Sequence, residues 1–292
     1  MGGLPLLKEE GLTSFKSTDR VRRLFGVKKG GYVGTLDQNA TGVLLVLLGP
    51  ATKLIPYLPV NDKTYIAEFQ LGATSNTLDR WGEITKQGYA HPVSKSQIQE
   101  TMERFLGKID QIPPMFSAKK VNGKRLYKHA LEGKSIPRKP SSVEIKSLVL
   151  HSYDSDKGTG KFELTCTKGT YVRSLISEIG ECVGCGAIMT SLIRTNDSGF
   201  SMNDCQTYSA IQQHVNNDAG MEMLVPVEKL LHHLPSVEVN PSQKLMLKNG
   251  VPVGIHGWPA RSGTVKMTCE GILFGIGTLI VASGQLKPER IL

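Results

Sequence analysis

The apolar positions of this chain follow two spacings. The run Gly42 to Leu48 (GVLLVLL) is almost continuously apolar and is bounded by glycines. At that length it predicts a central strand buried on both faces. Lys63 to Leu71 puts Tyr65, Ala67, Phe69 and Leu71 on one side, which predicts a strand with one buried face. Leu4–Leu7 and Phe162–Cys166 read as further short strands. Helical spacing occurs in Ile98, Met102, Phe105 and Leu106, with Ser96 and Gln99 at capping-box distance, so a helix is predicted from Ser96 to Leu106 and ended by Gly107. A second apolar stripe, Val172, Leu175, Ile176 and Ile179, predicts a helix from about Thr170, after a break at Gly169. A short basic helix through Arg20, Arg22, Arg23 and Leu24 is expected to follow a cap at Ser17 or Thr18.

The texture changes after Pro235. Glycines punctuate the β-like runs Thr264–Cys269, Ile272–Ile276 and Thr278–Ala282, and helical periodicity is scarce. This predicts a large domain over 1–235 and a small β-rich one over 236–292, a division that suits 292 residues.

Charge narrows the function. Lys and Arg number 35 against 26 Asp and Glu, a formal excess of +9. Such an excess points to a polyanionic partner, nucleic acid before an anionic membrane. The longest apolar run, Val43–Leu48, falls far short of the roughly 20 residues a membrane-crossing helix needs. The segment MGGLPLLKEE has no basic stretch before its apolar one, so a cytoplasmic location is expected. The five cysteines are odd in number and irregularly spaced, which argues against a disulfide framework. Cys182 and Cys185 form a CxxC without a second ligand pair, and VGCGA reads more simply as a helix end turned by Gly184 and Gly186.

Four segments could carry chemistry. In GYVGTLDQNATG (31–42), Asp37 lies on a glycine-framed loop just before the buried strand. Such a carboxylate can be catalytic, or it can close an Asx turn on its own backbone. KGTYVR (168–173) sits at a strand-to-helix junction and offers an aromatic face, Tyr171, and a cation, Arg173, that could meet Asp37 in space. Tyr65 of DKTY (62–65) could face a base or merely pack in the core. The stretch Lys119–Lys139 holds Lys119, Lys120, Lys124, Arg125, Lys128, Lys134, Arg138 and Lys139 with one acid, Glu132. It reads equally as a solvated loop or as a grip on phosphates.

Together these segments resemble the TruB-type tRNA pseudouridine synthases. That family reads GxxGxLDxxATGxLxxxxGxATK around its aspartate, and GYVGTLDQNATGVLLVLLGPATK stands here at 31–53. DKTY is similar to its DKxY, 109–138 to its RNA-gripping thumb, and 168–187 to its KGTYxRxLxxDLGxxLGxGA block. Order and spacing agree from about residue 4 to residue 210. The resemblance implies an α/β fold with a mixed, largely antiparallel central sheet flanked by helices, and a small β-barrel-like PUA domain at 236–292. It implies isomerisation of uridine 55 in the tRNA T-loop on a flipped-out nucleotide, without cofactor or metal, by a monomer. Asp37 would be the nucleophile or base, and Arg173 would hold it ionised. Tyr65 would stack on the uracil, and Tyr171 and Leu192 would line the base pocket. Met115–Lys139, with Lys119, Lys120, Lys124, Arg125 and Lys128, would clamp the T-arm. Tyr32 stands where the family commonly has His, beside the flipped nucleotide. KEEGLTS (8–14) replaces DKPxGxTS, and Arg80 and Trp81 replace an acidic, glycine-containing stretch. These departures leave open a different class of function, a non-catalytic RNA-binding protein or tRNA folding helper.

Overall fold

A computed structural model describes residues 2–86, 88, 92–255 and 262–292. Its centre is a ten-stranded sheet. β1 (Gly2–Lys8) and β2 (Gly30–Tyr32) both pair antiparallel with β3 (Thr41–Leu48). β4 (Lys63–Leu71) lies between the strands Thr159–Cys166 and Ala187–Asp197, antiparallel to each. The strand Ser141–Asp154 and then Gly107–Gln111 complete one side. β3 and Ala187–Asp197 meet in parallel, with Thr41 opposite Ile193 and Gly42 opposite Arg194. The backbones approach so closely there that a Cβ on Gly42 (φ +105°) would lie 2.1 Å from the Arg194 carbonyl oxygen, so only glycine fits.

β3 earns its unbroken apolarity from two cores. Leu45 and Leu47 face Ala51, Leu54 and Leu231 on one side. Leu44, Val46 and Leu48 face Leu4, Leu6, Val21 and Ile211 on the other. β4 instead alternates, and Tyr65, Ala67, Phe69 and Leu71 join Ile98, Met102, Leu175, Ile176 and Ile179 in the largest core. The helix over Val172–Cys182 thus buries the stripe its spacing predicts, and its end is turned by Gly184 and Gly186, both at positive φ.

Several boundaries differ from the sequence expectations. α1 (Ser14–Leu24) begins three residues before Ser17, because Thr13 is the cap and accepts from Lys16 N at 3.2 Å. Ser17 and Thr18 are buried within the helix. α2 (Lys95–Glu103) is capped by Ser94 and Gln97, not by Ser96 and Gln99, and Leu106 is exposed beyond its end. The basic 119–139 stretch contains a small hairpin, Lys120–Val121 against Lys124–Arg125, followed by α3 (Leu126–Leu131).

The C-terminal part is a five-stranded sheet in the order Ser236–Glu238, Gly263–Cys269, Ile272–Ile280, Gln285–Ile291, Val253–Gly254. Ile272–Ile280 is one strand where two were expected, and the helix Pro241–Lys248 and strand Gln285–Ile291 were not anticipated. Val237, Leu247, Val265, Met267 and Leu286 form its own core. Leu273 and Ile276 pack into the cluster of Leu45 and Leu47, so the two sheets share an apolar seam. Among the described residues no helix is long and apolar enough to cross a membrane. Nor, among them, do three or more His, Cys, Asp or Glu side chains gather as a metal site would require.

Candidate active site

Asp37 lies on the loop between β2 and β3, with its side chain 45% exposed. The loop is fastened from several sides. Leu36 N donates to Ser14 Oγ at 2.9 Å, and that hydroxyl is 3.0 Å from the Leu36 carbonyl oxygen. Lys8 Nζ donates to the carbonyls of Gln38 (2.9 Å) and Ala40 (2.5 Å), and to that of Glu9 (2.9 Å). Arg194 Nη2 donates to Gly34 O at 2.9 Å and its Nε to Val43 O at 2.8 Å. A carboxylate carried on a loop is thereby held almost as firmly as one on a strand, which catalysis requires.

Arg173, in the first turn of the Val172–Cys182 helix, grips Asp37 with both arms of its fork. Nε lies 2.8 Å from Oδ2 and Nη2 donates to Oδ1 at 3.3 Å. Its remaining donors are used as well. Nη1 donates to Thr77 O at 2.7 Å and sits 3.7 Å from Asp79 Oδ2, and Nη2 donates to Phe116 O at 2.8 Å. The guanidinium side chain is only 6% exposed, so it needs these partners. Asp79 is in turn fixed by Thr77 Oγ1 (2.6 Å) and Trp81 N (3.1 Å).

Asp37 and Arg173 open onto a cavity of ≈ 270 Å³ that Tyr65, Tyr171 and Leu192 also line. That is near the lower bound, about 300 Å³, of ordinary small-ligand clefts, and leaves room for a planar pyrimidine. Tyr65 is 6% exposed, and burial pushes its hydroxyl up to about 12, with Arg194 opposing. The ring therefore presents a protonated O–H at neutral pH. Beneath it lies a buried ionic cluster. Asp197 Oδ2 is 2.5 Å from Lys63 Nζ and 3.2 Å from Arg194 Nη1. Gly34 (φ +65°) presses onto this cluster, and a Cβ there would lie 2.5 Å from Lys63 Nζ. Tyr171 is positioned through its backbone, which exchanges hydrogen bonds with the buried Gln111 side chain at 2.8 and 3.0 Å.

The other sequence-predicted residues divide. Tyr32 does not line the cavity. It pairs with Val46 in the sheet and, partly buried, packs against the cluster of Leu4, Leu6, Val21, Leu44, Val46, Leu48 and Ile211. Lys119 donates to Ser141 Oγ at 2.6 Å, and Lys124 is bound to Glu132. Lys120, Arg125 and Lys128 are exposed, the first two facing each other across the hairpin. Ser117 and Ala118, just before the hairpin, reach the cavity wall.

Lys8, Ser14, Asp79, Gln111, Arg194 and Asp197 were not anticipated. Lys8 carries a test of its own. Burial lowers its ammonium from 10.5 to about 8, although Asp37 pulls it upward. The unfolded chain then binds more protons than the folded one between those two values, so Lys8 makes stability rise with pH across that window, by up to about 1.4 kcal/mol per pH unit. Urea melts of wild type and Lys8→Met should diverge above pH 8, with wild type gaining. Parallel stability–pH curves would show that the Lys8 charge is not strained by burial.

Known proteins align with this architecture. The family model for the TruB family pseudouridylate synthase N-terminal domain matches residues 22–172, and that for the tRNA pseudouridylate synthase B C-terminal domain matches 173–232. The tRNA pseudouridine synthase B of Oceanobacillus iheyensis is 37% identical over 99% of this chain and 97% of its own length. That of Bacillus subtilis is 37% identical over 100% of this chain and 97% of its own. Among solved structures, an H/ACA RNP bound to a substrate RNA containing 2'-deoxyuridine aligns at TM-score 0.71 and 21% identity, over 99% of this chain and 84% of that one. A Cbf5-Nop10-Gar1 complex aligns at TM-score 0.70 and 23% identity, over 100% and 84%. At such identities the structural likeness speaks for the fold.

Proposed function

Since the chain belongs to the TruB family of pseudouridylate synthases and is an enzyme that isomerises uridine to pseudouridine in tRNA, we propose that its target is uridine 55 of the T-loop and that Asp37 is the reacting carboxylate. The observation that carries this is the Asp37 carboxylate, clamped bidentately by Arg173 and facing a cavity walled by Tyr65, Tyr171 and Leu192. The reaction breaks the C–N glycosidic bond, turns the base and joins its C5 to the ribose. N1 gains a proton and C5 loses one, so atoms and electrons balance without a co-reactant. The base must leave its stack before it can reach Asp37. Tyr65 and Tyr171 then offer it aromatic faces, while the backbone of Leu192 belongs to the same strand as Arg194. Asp37 either adds to the sugar or base or removes a ribose proton. With a bidentate cation on the carboxylate and a cavity that admits a base before it, no observation favours the non-catalytic alternative.

Three further parts of the proposal concern the surroundings. The 109–139 segment is read as the thumb over the T-arm, the 236–292 sheet as a PUA-like RNA-binding domain, and the enzyme as a cytoplasmic monomer, tRNA being its substrate. In the thumb, the exposed Lys120, Arg125 and Lys128 are the phosphate contacts, whereas Lys119 and Lys124 are already engaged. Replacing those three by Ala should make the slope of log K against log[salt] shallower by about 2 to 3, at roughly 0.7–0.9 per phosphate. An unchanged slope would remove the thumb from the RNA interface.

The reading as a whole is tested with the purified chain, an unmodified tRNA transcript labelled at uracil C5, and release of tritium. One equivalent of tritium per tRNA is expected, with the pseudouridine mapped to position 55. Pseudouridine mapped elsewhere would keep the isomerase and discard the site.

A further inference from the structure

Outside the cavity, one surface combines an aromatic ring with unpaired cations. Phe15 is the second residue of α1 and is 69% exposed. It borders an open groove of ≈ 460 Å³, between α1 and β2, that Arg22, Lys28, Lys29, Gly30 and Thr52 also line. A solitary exposed apolar residue is ordinary. This one stands among charges of one sign. The single carboxylate of the groove, Asp19, is taken by Arg22 at 2.7 Å and Arg23 at 2.8 Å. Among the described residues, Lys28 and Lys29 pair with no carboxylate. Three cations, Arg22, Lys28 and Lys29, thus line the groove with one acid.

The groove is rigid. Gly30 is packed so tightly on α1 that a Cβ would lie 3.1 Å from Arg22 Cβ and 3.2 Å from Thr18 Cγ2. The Lys29 carbonyl accepts from Gly49 N at 2.8 Å, and Arg22 Nη1 donates to Val27 O at 3.0 Å. It is also continuous with the active site. β2 begins at Gly30, and Gly34 already lines the cavity. β2 is extended only over its three residues, Gly30–Tyr32, about 10 Å at ~3.3 Å each, the length of about three stacked nucleotides at ~3.4 Å, and the chain then bends at Val33 and Gly34 (φ +65°).

We infer that the α1–β2 groove is a second RNA-binding site, in which Lys28 and Lys29 hold phosphates of the strand adjoining the target uridine and Phe15 stacks on one of its unpaired bases. Cations that follow the backbone beside an aromatic platform are the two devices by which proteins hold single-stranded RNA. A polyanionic occupant matches the charge, and the groove adjoins the strand that leads into the loop lining the cavity. The inference rests on tRNA being the substrate, but binding and turnover are read separately.

The test compares three variants with wild type, using filter binding of an unmodified tRNA transcript over a range of salt. All the altered side chains are exposed or partly exposed, so folding is preserved and thermal melts check it. K28A/K29A is expected to raise Kd at least fivefold and to make the salt slope shallower by about 1.4, at ~0.7 per single-strand phosphate. F15A is expected to raise Kd about fivefold or more with the slope unchanged, as the loss of one stacked base does. K157A/K161A, which removes the same charge from the Ser141–Asp154/Thr159–Cys166 hairpin, should change neither. Unaltered Kd and slope in K28A/K29A, an F15A indistinguishable from wild type, or an equal loss in K157A/K161A would each overturn the inference. A wild-type chain that binds tRNA but forms no pseudouridine would count against the proposed reaction and leave the groove to be judged by Kd alone.

Discussion

Asp37→Asn is expected to lower pseudouridine formation by about a thousandfold or more while leaving RNA affinity within about twofold. An amide keeps the size of the carboxyl but can neither add readily to the substrate nor accept its proton, and loss of a positioned proton-transfer group alone costs roughly 10²–10⁴ in rate. A thousandfold corresponds to about 4 kcal/mol of transition-state stabilisation. Asp37→Asn removes one of the two carboxylates on the buried Arg173, which keeps Asp79, Thr77 O and Phe116 O as partners, and the loop itself is tied by other groups. Ser14 still binds Leu36, and Lys8 still binds the carbonyls of Gln38 and Ala40. Half-exposed, the side chain leaves no large unsolvated void. Affinity should persist because the phosphate contacts lie elsewhere on the surface. Single-turnover tritium release and filter binding, done on the same preparation, separate the two quantities. Turnover within tenfold of wild type would mean that some other group does the chemistry.

The sequence made parts of this site legible and hid others, for physical reasons that differ by residue. β3 could be read because a strand buried on both faces leaves an unbroken apolar run, and the Val172–Cys182 helix because its one buried face repeats at helical spacing. The Asp37–Arg173 pair spans 136 residues, and the parallel pairing of β3 with Ala187–Asp197 beside it is likewise long-range, so no local pattern encodes either. Lys8 and Arg194 are among the most buried side chains of the protein, yet a lone Lys or Arg in a sequence carries no mark of burial. Tyr32 is placed differently: its position in the motif suggested the substrate, and in the structure it is partly buried against the Leu44, Val46 and Leu48 cluster. Two misses had readable signals. Asn122–Gly123, both at positive φ, is the two-residue turn of the Lys120–Arg125 hairpin. Asn240, Pro241 and Gln243 form the capped start of the unanticipated C-terminal helix.

Arg173→Met should cost both turnover and affinity, which sets it apart from Asp37→Asn. The guanidinium joins the Asp37 loop, the Thr77–Asp79 turn and Phe116, which precedes the Lys120–Arg125 hairpin. Removing it leaves Asp79 buried without its cation and two carbonyls without a donor. Breaking a buried ion pair from one side costs about 3–5 kcal/mol, or a fall in Tm of roughly 10 °C for a chain of this size. Phe116 and the segment after it lose their tie to the Asp37 loop, so, on the proposed reading of 109–139 as an RNA contact, tRNA should bind more weakly even where the variant remains folded. Arg173→Lys sharpens the test. It keeps the charge, but three ammonium donors cannot reproduce a planar fork that serves four partners. It should fold and still lose about a hundredfold or more in rate, most of it through misplacement of Asp37. In an Asp37→Asn background the same change should then alter the residual rate little, because residues that act as a unit are not additive. Should the two substitutions multiply as independent losses, Arg173 does not act through Asp37, and the clamp in the structure is a brace for the thumb alone.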